Sequence, residues 1–151
     1  MIRLSRLTDY AVTLLTQMVS EGKGLWAASD LATKAGVPLP TVSKILKQLA
    51  KTGIVIAQRG ATGGYHLARP ARDISVAAII EAMDGPIALT DCAEGGDQDC
   101  RIQTICPMSG NWNKVNQAVR TALETVSLAD MGTSPKGEIR KPAEAQQEIH
   151  S

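Results

Sequence analysis

The chain contains no phenylalanine and only two tryptophans and two tyrosines, so any core that it buries has to be aliphatic. It has no run of the roughly 20 apolar residues that a membrane-spanning helix needs, and residues 1–6 lack the long apolar region of a signal peptide. We therefore expect a protein of the cytoplasm. It also lacks a Ser-His-Asp pattern, a phosphate-cradling glycine motif and a carboxylate pair suited to catalysis, which argues against an enzyme.

Cysteine is also scarce, and all three cysteines lie in one short stretch, with a spacing of C-x7-C-x5-C from Cys92 through Cys100 to Cys106. An odd number in one window disfavours a disulfide framework and favours a ligand or redox role. Two glycines and three acidic residues separate the first two cysteines, so this segment is predicted to be a mobile loop whose sulfurs converge. Clustered thiolates suit an iron–sulfur cluster, zinc or copper(I). We assign residues 86–108 to this metal-binding loop.

The net charge of +1 conceals a strong asymmetry along the chain. Residues 1–72 carry ten Lys and Arg against three Asp and Glu, a balance of +7. Residues 73–151 carry six Lys and Arg against twelve Asp and Glu, a balance of −6. A basic half followed by an acidic half predicts a polyanionic partner, such as DNA, for the first half alone.

The first half shows the pattern of a helix-turn-helix motif. Apolar residues at helical spacing predict a helix over residues 8–21, with Thr8 as its N-cap. A second short helix over residues 30–34 is predicted to stop at Gly36, and a third to begin at Pro40 and reach about Thr52. Small polar and cationic residues occupy the outward face of this third helix.

The next residues predict a β-hairpin, which turns the motif into a winged helix. Residues 53–58 are rich in β-branched side chains, residues 59–64 form a glycine-rich turn, and residues 65–67 return. The predicted fold is thus mainly α with a small β-hairpin, a winged helix-turn-helix domain over residues 1–85. A helix is predicted over 109–130, and its apolar stripe is predicted to pair with its twin in a second copy, to pack on its own domain, or to do both. The stripe consists of Trp112, Val115, Val119, Ala122 or Leu123, and Val126. A disordered tail is predicted for 131–151.

Specific DNA contacts follow from this placement. On the third helix, Lys44 and Lys47 are predicted to bind phosphates. Arg59, with Gly60 beside it at the wing tip, is predicted to enter the minor groove or bind a phosphate. The residues predicted to approach base edges are Pro40, Thr41 and Ser43.

Several of these motifs together resemble the Rrf2 family of winged-helix regulators. The resemblance lies in residues 1–11, in the stretch Leu49–Ile54, in Arg59–Tyr65 and in a three-cysteine loop before a long helix, and it covers residues 1 to about 130. It implies a homodimer joined through the long helix, a palindromic site in double-stranded DNA, and an iron–sulfur cluster, [2Fe–2S] or [4Fe–4S], held by Cys92, Cys100 and Cys106.

The fourth ligand of such a cluster stays open in the sequence. Ser109 stands where IscR-type members have a histidine. Asp9 matches the aspartate that completes the cluster of the partner subunit in NsrR-type members, although a favourable interaction with its own helix N-terminus explains Asp9 equally well. Asn111 and a small-molecule thiol are further alternatives.

The function implied by the resemblance is that of a cluster-sensing transcription regulator, expected to repress iron–sulfur cluster assembly genes. A nitric-oxide or thiol-redox sensor is the alternative within the same class. A metal or cluster carrier without DNA binding is the alternative from another class.

Overall fold

The computed structural model describes residues 3–22 and 24–132. These residues form six α-helices and one two-stranded antiparallel sheet. In chain order the elements are α1 (Arg6–Ser20), α2 (Ala28–Ala35), α3 (Leu39–Lys51), β1 (Val55–Gln58), β2 (Gly64–Leu67), a 3-10 turn (Ala71–Asp73), α4 (Val76–Asp84), α5 (Trp112–Thr125) and α6 (Leu128–Met131). The fold class predicted from the sequence is confirmed.

The core is aliphatic, as the lack of phenylalanine requires, with one fully buried aromatic side chain, Trp26, among its largest members. Helices α1, α3 and α4 each turn an apolar stripe inward, and full burial of one such side chain contributes about 1.5–3 kcal/mol. The completely buried leucine, isoleucine and valine side chains of these three helices are Leu14, Leu15, Val42, Ile45, Leu46, Leu49 and Ile79.

Helix α1 starts two residues earlier than predicted. Its N-cap is Ser5, whose side chain accepts a hydrogen bond from the backbone N–H of Thr8. Thr8 therefore lies within the first turn and is fully buried, so its prediction as the N-cap is wrong. The end of α2 is as predicted, because Gly36 adopts the left-handed conformation with φ +67°.

The β-hairpin forms in the predicted place, with Val55 opposite Leu67 and Gln58 opposite Gly64. The backbone of Trp26 extends this pairing, because its N–H and carbonyl both bond to Tyr65, at 2.8 and 2.7 Å. Gly64 allows this approach, because a Cβ there would lie 2.5 Å from the Trp26 carbonyl oxygen. Gly63 serves the turn itself, where a Cβ would lie 2.2 Å from the Gln58 carbonyl oxygen.

The segment predicted as one helix over 109–130 is two helices in the structure, so that prediction is wrong in its bounds. Helix α5 ends at Thr125, and Val126 is extended. Ser127 then starts α6 through a capping box with Asp130. Bonds from the Val76 N–H to the Val126 carbonyl and from the Leu128 N–H to the Ile74 carbonyl, each 2.8 Å, fasten this break to the winged-helix domain.

Of the tail predicted to be disordered, Met131 ends α6 and residues 133–151 lie outside the described residues. Within the described part of the chain, no helix is both long and apolar enough to cross a membrane.

Candidate nucleic-acid interface and cysteine segment

The outward face of α3 forms a shallow groove that collects most of the predicted DNA-contacting residues of that helix. Lys44 and Lys47 are exposed, and the stripe on the opposite side of α3 is buried. Thr41 lies in the first turn of α3 and is half-buried. The groove is lined by Pro40, Ser43, Lys44, Lys47, Gln48 and Lys51.

Two residues of this groove were not among the predicted contacts. Lys51 is exposed and adds a third cation to the face. The Gln48 side chain donates a hydrogen bond of 3.0 Å to the Ala82 carbonyl, so it fixes α3 to α4. The helical spacing of Lys44, Lys47 and Lys51 signals the additional cation, whereas the bond from Gln48 has no signal in the sequence.

The predicted wing residues lie at the tip of the hairpin. Arg59 and Gly60 are both exposed and follow β1 directly. Gly60 has φ +111°, a conformation that favours glycine. The N–H of Gly63 donates to the Gly60 carbonyl at 2.9 Å and closes the turn. The geometry presents one cation on a narrow backbone loop, which suits a groove or a phosphate.

The three cysteines lie in a segment that is built of turns, as predicted, between α4 and α5. Cys92, Cys100 and Cys106 are all free thiols and half-buried. The hydroxyl of Thr90 and the sulfur of Cys92 are 3.3 Å apart and hydrogen-bonded. Among the residues that the structure describes, no three His, Cys, Asp or Glu side chains are grouped so that they could hold a metal ion. This conformation therefore does not gather three of the predicted ligands at one point.

The loop between the first two cysteines folds back on itself. The Gln98 N–H donates to the Asp91 carbonyl at 2.8 Å. Gly96 permits this approach, because a Cβ there would lie 2.5 Å from the Thr90 carbonyl oxygen. Gly96, one of the two glycines from which a mobile loop was predicted, therefore serves a close backbone contact.

Asp9 and Asn111, the two residues weighed as the fourth ligand, are both exposed, and so is Ser109. Asp9 lies in the first turn of α1, where its carboxylate is favourable to the helix N-terminus. An exposed carboxylate on α1 is accessible to a second copy of the chain.

Exposed apolar side chains occur both on α5 and in the cysteine segment that precedes it. Trp112 is 42% exposed and Val115 is 45% exposed. Ile102, Ile105 and Met108 precede them and are also exposed, with Ile105 at 79%. Exposed apolar side chains on one helix face are available for a protein–protein contact.

Comparison with known proteins identifies the chain. A family model described as Rrf2, iron-dependent transcriptional regulator, matches residues 4–134. The chain belongs to the Rrf2 family of DNA-binding transcription regulators. The resemblance drawn from the sequence motifs is confirmed.

Relatives of this Rrf2 chain include a repressor and two regulators of known structure. The HTH-type transcriptional repressor NsrR of Streptomyces coelicolor is 28% identical over 140 residues, with 91% of this chain and 93% of NsrR covered. CymR, the global cysteine regulator of B. subtilis, superposes with a TM-score of 0.66 at 23% identity, covering 87% of this chain and 96% of CymR. IscR of T. potens superposes with a TM-score of 0.63 at 24% identity, covering 99% and 92%. Both structural likenesses concern the fold.

The chemistry of the donor set fits an iron–sulfur cluster even though the sulfurs are not gathered in this conformation. Three free thiols on one glycine-containing segment supply soft ligands without a competing disulfide among them.

Proposed function

We propose that this protein is a homodimeric repressor of iron–sulfur cluster assembly genes that acts in the cytoplasm and senses a cluster bound to Cys92, Cys100 and Cys106. The observation that carries the proposal is the presence of three free, half-buried cysteines on one turn-rich segment beside α5. The family description as an iron-dependent regulator supports the same reading. The relatives named above are regulators, which supports a protein without catalytic activity.

Recognition of DNA is assigned to α3 and the wing. Lys44 and Lys47 would neutralise phosphates, and Arg59, next to Gly60, would act from the hairpin tip. Base edges would be approached by Pro40, Thr41 and Ser43 at the start of α3. Two copies joined through α5 would read the two halves of a palindromic site about 34 Å apart.

Dimerisation is assigned to the apolar face of α5. Trp112 and Val115 are each more than two-fifths exposed, and they lie one turn apart on the same face. A second copy that covered this stripe would remove it from water, which is the main favourable term in association. The same contact would bring the cysteine segment close to the partner.

The mechanism rests on the residues that link the cysteines to α5. When bound, an iron–sulfur cluster supplies a centre that iron shortage, oxidant or nitric oxide can remove or alter. The three thiolates would hold it, with Asp9 of a second copy as the proposed fourth ligand, and would draw their segment together. Because that segment lies beside α5, its rearrangement would alter how the two copies meet and hence the spacing of the two α3 helices.

The test compares wild-type protein with Cys106→Ala and Asp9→Ala after anaerobic purification. Iron, acid-labile sulfide and visible absorbance are measured, and affinity for promoter fragments is measured with and without cluster at matched salt. We expect brown wild-type protein, loss of colour in Cys106→Ala, and a less stable or altered cluster in Asp9→Ala. Asp30→Ala, which removes an exposed carboxylate from the first turn of α2, is the matched control.

The outcomes separate the parts of the proposal. Colourless protein without iron or sulfide after iron-replete, oxygen-free growth would eliminate cluster sensing. Equal DNA affinity of both forms would eliminate the switch. An unchanged spectrum in Asp9→Ala would eliminate Asp9 as a ligand, and metal transfer without any DNA affinity would favour the carrier.

A thiol-redox sensor is the second candidate, and one observation favours it. The three thiols are free and half-buried, and within the described residues they do not form a set of three that could hold a metal ion. A colourless protein whose DNA affinity changes on oxidation and recovers with reductant would establish it.

A further inference from the structure

Asn116 is the buried residue of α5, with only 4% of its surface exposed. Its side-chain Oδ1 accepts a hydrogen bond from the Leu89 N–H at 3.0 Å. Its Nδ2 donates to the Ile87 carbonyl at 3.0 Å and to the Glu94 carbonyl at 3.4 Å. All three partners are backbone groups of the segment that contains Cys92.

The Asn116 amide makes all of these hydrogen bonds to one short stretch of chain, residues 87–94. Burying a side-chain amide costs free energy unless the amide is hydrogen-bonded. Removing the Asn116 amide would in turn leave its backbone partners without hydrogen bonds. An apolar residue at position 116 would fit the buried site but could not replace these bonds. The side chain therefore contributes a specific attachment rather than apolar packing.

A second residue, one turn earlier on α5, reinforces the attachment. The Asn113 side chain accepts a hydrogen bond of 2.7 Å from the Glu94 N–H. Ala93, between Cys92 and Glu94, is completely buried. Cys92 thus lies between two fastened points, at Leu89 and Glu94.

The other two cysteines are held differently. The Cys106 N–H bonds to the Ile102 carbonyl at 2.8 Å, and the Cys100 carbonyl accepts from the Gln103 N–H at 3.1 Å. These are local turns within the segment. Among the described hydrogen bonds, those from side chains within α5 to this segment therefore all lie around the first cysteine.

We propose that Asn116 is a positioning residue that fixes the first cysteine against α5, so that the conformation of residues 87–94 and the position of α5 change together. The proposal rests on the proposed function in taking Cys92 as part of the sensing segment. The attachment itself depends only on residues of this chain. Asn116 would be the point at which a change in the cysteine segment reaches the helix assigned to dimerisation.

The test is the Asn116→Ala variant of the full chain, reduced and free of metal. The alkylation rate of each cysteine is measured by mass spectrometry, together with amide exchange of residues 87–94. Because local opening becomes easier when buried bonds are lost, we expect Cys92 to react about tenfold faster, with Cys106 changed by less than about twofold. Gln117→Ala, an exposed neighbour whose amide bonds only to Thr121 among the described contacts, is the control and is expected to react as wild type.

The proposal is overturned if Cys92 reactivity is unchanged in Asn116→Ala, or if all three cysteines react faster by the same factor as the whole fold loosens. Asn113→Ala removes one bond from an exposed side chain and keeps the test decisive should Asn116→Ala not fold. We expect a smaller increase at Cys92 in this variant, and no increase there would overturn the proposal.

A separate arm addresses the cluster. Iron loss to a chelator is compared in anaerobically loaded wild type and Asn116→Ala, and we expect faster loss in the variant. If wild type takes up no cluster, the proposed function fails, while the alkylation rates still decide the role of Asn116.

Discussion

Asp84 shows how a single residue connects the two ends of the winged-helix domain. It is the last residue of α4, and its Oδ2 accepts a hydrogen bond of 3.3 Å from the Ser5 N–H at the start of α1. Desolvation by its neighbours raises the pKa of this carboxyl, but hydrogen bonds from Ser5 and Thr8 together outweigh that effect and leave the pKa below its ordinary value of 3.8.

This lowered pKa predicts a pH-dependent contribution to stability. The carboxylate contribution is fully present above pH 3.8 and is lost as the pH falls through the folded pKa. Asp84→Asn is therefore expected to lose about 0.5–1 kcal/mol of unfolding free energy at neutral pH, a small value because the carboxyl is largely solvated. Urea unfolding of both proteins at pH 7 and at strongly acidic pH measures the difference.

The matched control is Asp91→Asn, which changes an exposed carboxyl for which no comparable bond to α1 is present among the described contacts. It is expected to unfold as wild type does at both pH values. A difference between Asp84→Asn and wild type that persists unchanged in strong acid would contradict the role of the charge.

At the scale of single residues, the sequence predicted which chemistry a side chain can perform better than which residues it contacts. The cysteines and the cationic face of α3 were visible because their spacing is local. Ser5 and Asn116 were not, because Ser5 meets Asp84 across 79 residues and Asn116 meets Leu89 across 27. A polar residue on a helix is normally expected to face solvent. The sequence pattern therefore gives no sign that the Asn116 side chain is buried.

At the scale of an element, α3 carries a testable electrostatic prediction. Each phosphate that a lysine neutralises releases counterions from DNA, so Lys44→Ala combined with Lys47→Ala should lower the slope of log affinity against log salt by about 2. The affinity of the double variant for a promoter fragment is measured over a range of salt concentrations. The affinity loss should be similar for specific and unrelated DNA, because these contacts are to phosphates.

Lys114→Ala is the control for this pair, since it removes an exposed cation from α5 rather than α3. Its salt slope should equal that of wild type. An unchanged slope in the double variant would show that the DNA phosphates contact a surface other than the groove on α3.

The short helix α6 acts as an anchor for the end of α5. Leu128 is completely buried, and its N–H bonds to Ile74 beside α4. Leu128→Ala should therefore cost about 2–5 kcal/mol of unfolding free energy, as leucine truncation in a packed core does. Chemical denaturation measures the loss; Met131→Ala, which truncates a residue 47% exposed on the same helix, should cost much less.

The bounds of these last elements also show what local patterns miss. The apolar spacing from Trp112 to Val126 continues past the end of α5, so periodicity alone predicted one long helix. The break depends on Ser127 and Asp130, whose capping box starts a new helix, and on the pairing of Val126 with Val76. The first of these signals is readable in the sequence, while the pairing depends on the fold. The wing, whose strands and turn are neighbours in sequence, was predicted to within two residues at each strand end.

At the scale of the whole molecule, charge and apolar surface are separated along the chain. The basic half forms the winged helix, and the exposed apolar face belongs to α5 in the acidic half. The bond from Val76 to Val126 fastens the end of α5 to the winged-helix domain, while Asn116 attaches the start of α5 to the cysteine segment. For a second copy that contacted α5, the separation of the two α3 helices would therefore depend on the conformation of that segment.

The apolar face of α5 leads to a prediction about the assembly of two chains. Val115→Glu places a charge within the stripe, at a position 45% exposed in the single chain, so the fold of each copy should be preserved while pairing is lost. Light scattering after size-exclusion chromatography should show a dimer for wild type and a monomer for the variant. DNA affinity should fall strongly. In a dimer, binding of the first winged-helix domain holds the second at a high effective concentration near its half-site, and a monomer lacks this advantage. Thr121→Glu, which adds the same charge to an exposed site on α5 outside the stripe, should remain dimeric, and a Val115→Glu protein that also remains dimeric would place the contact elsewhere.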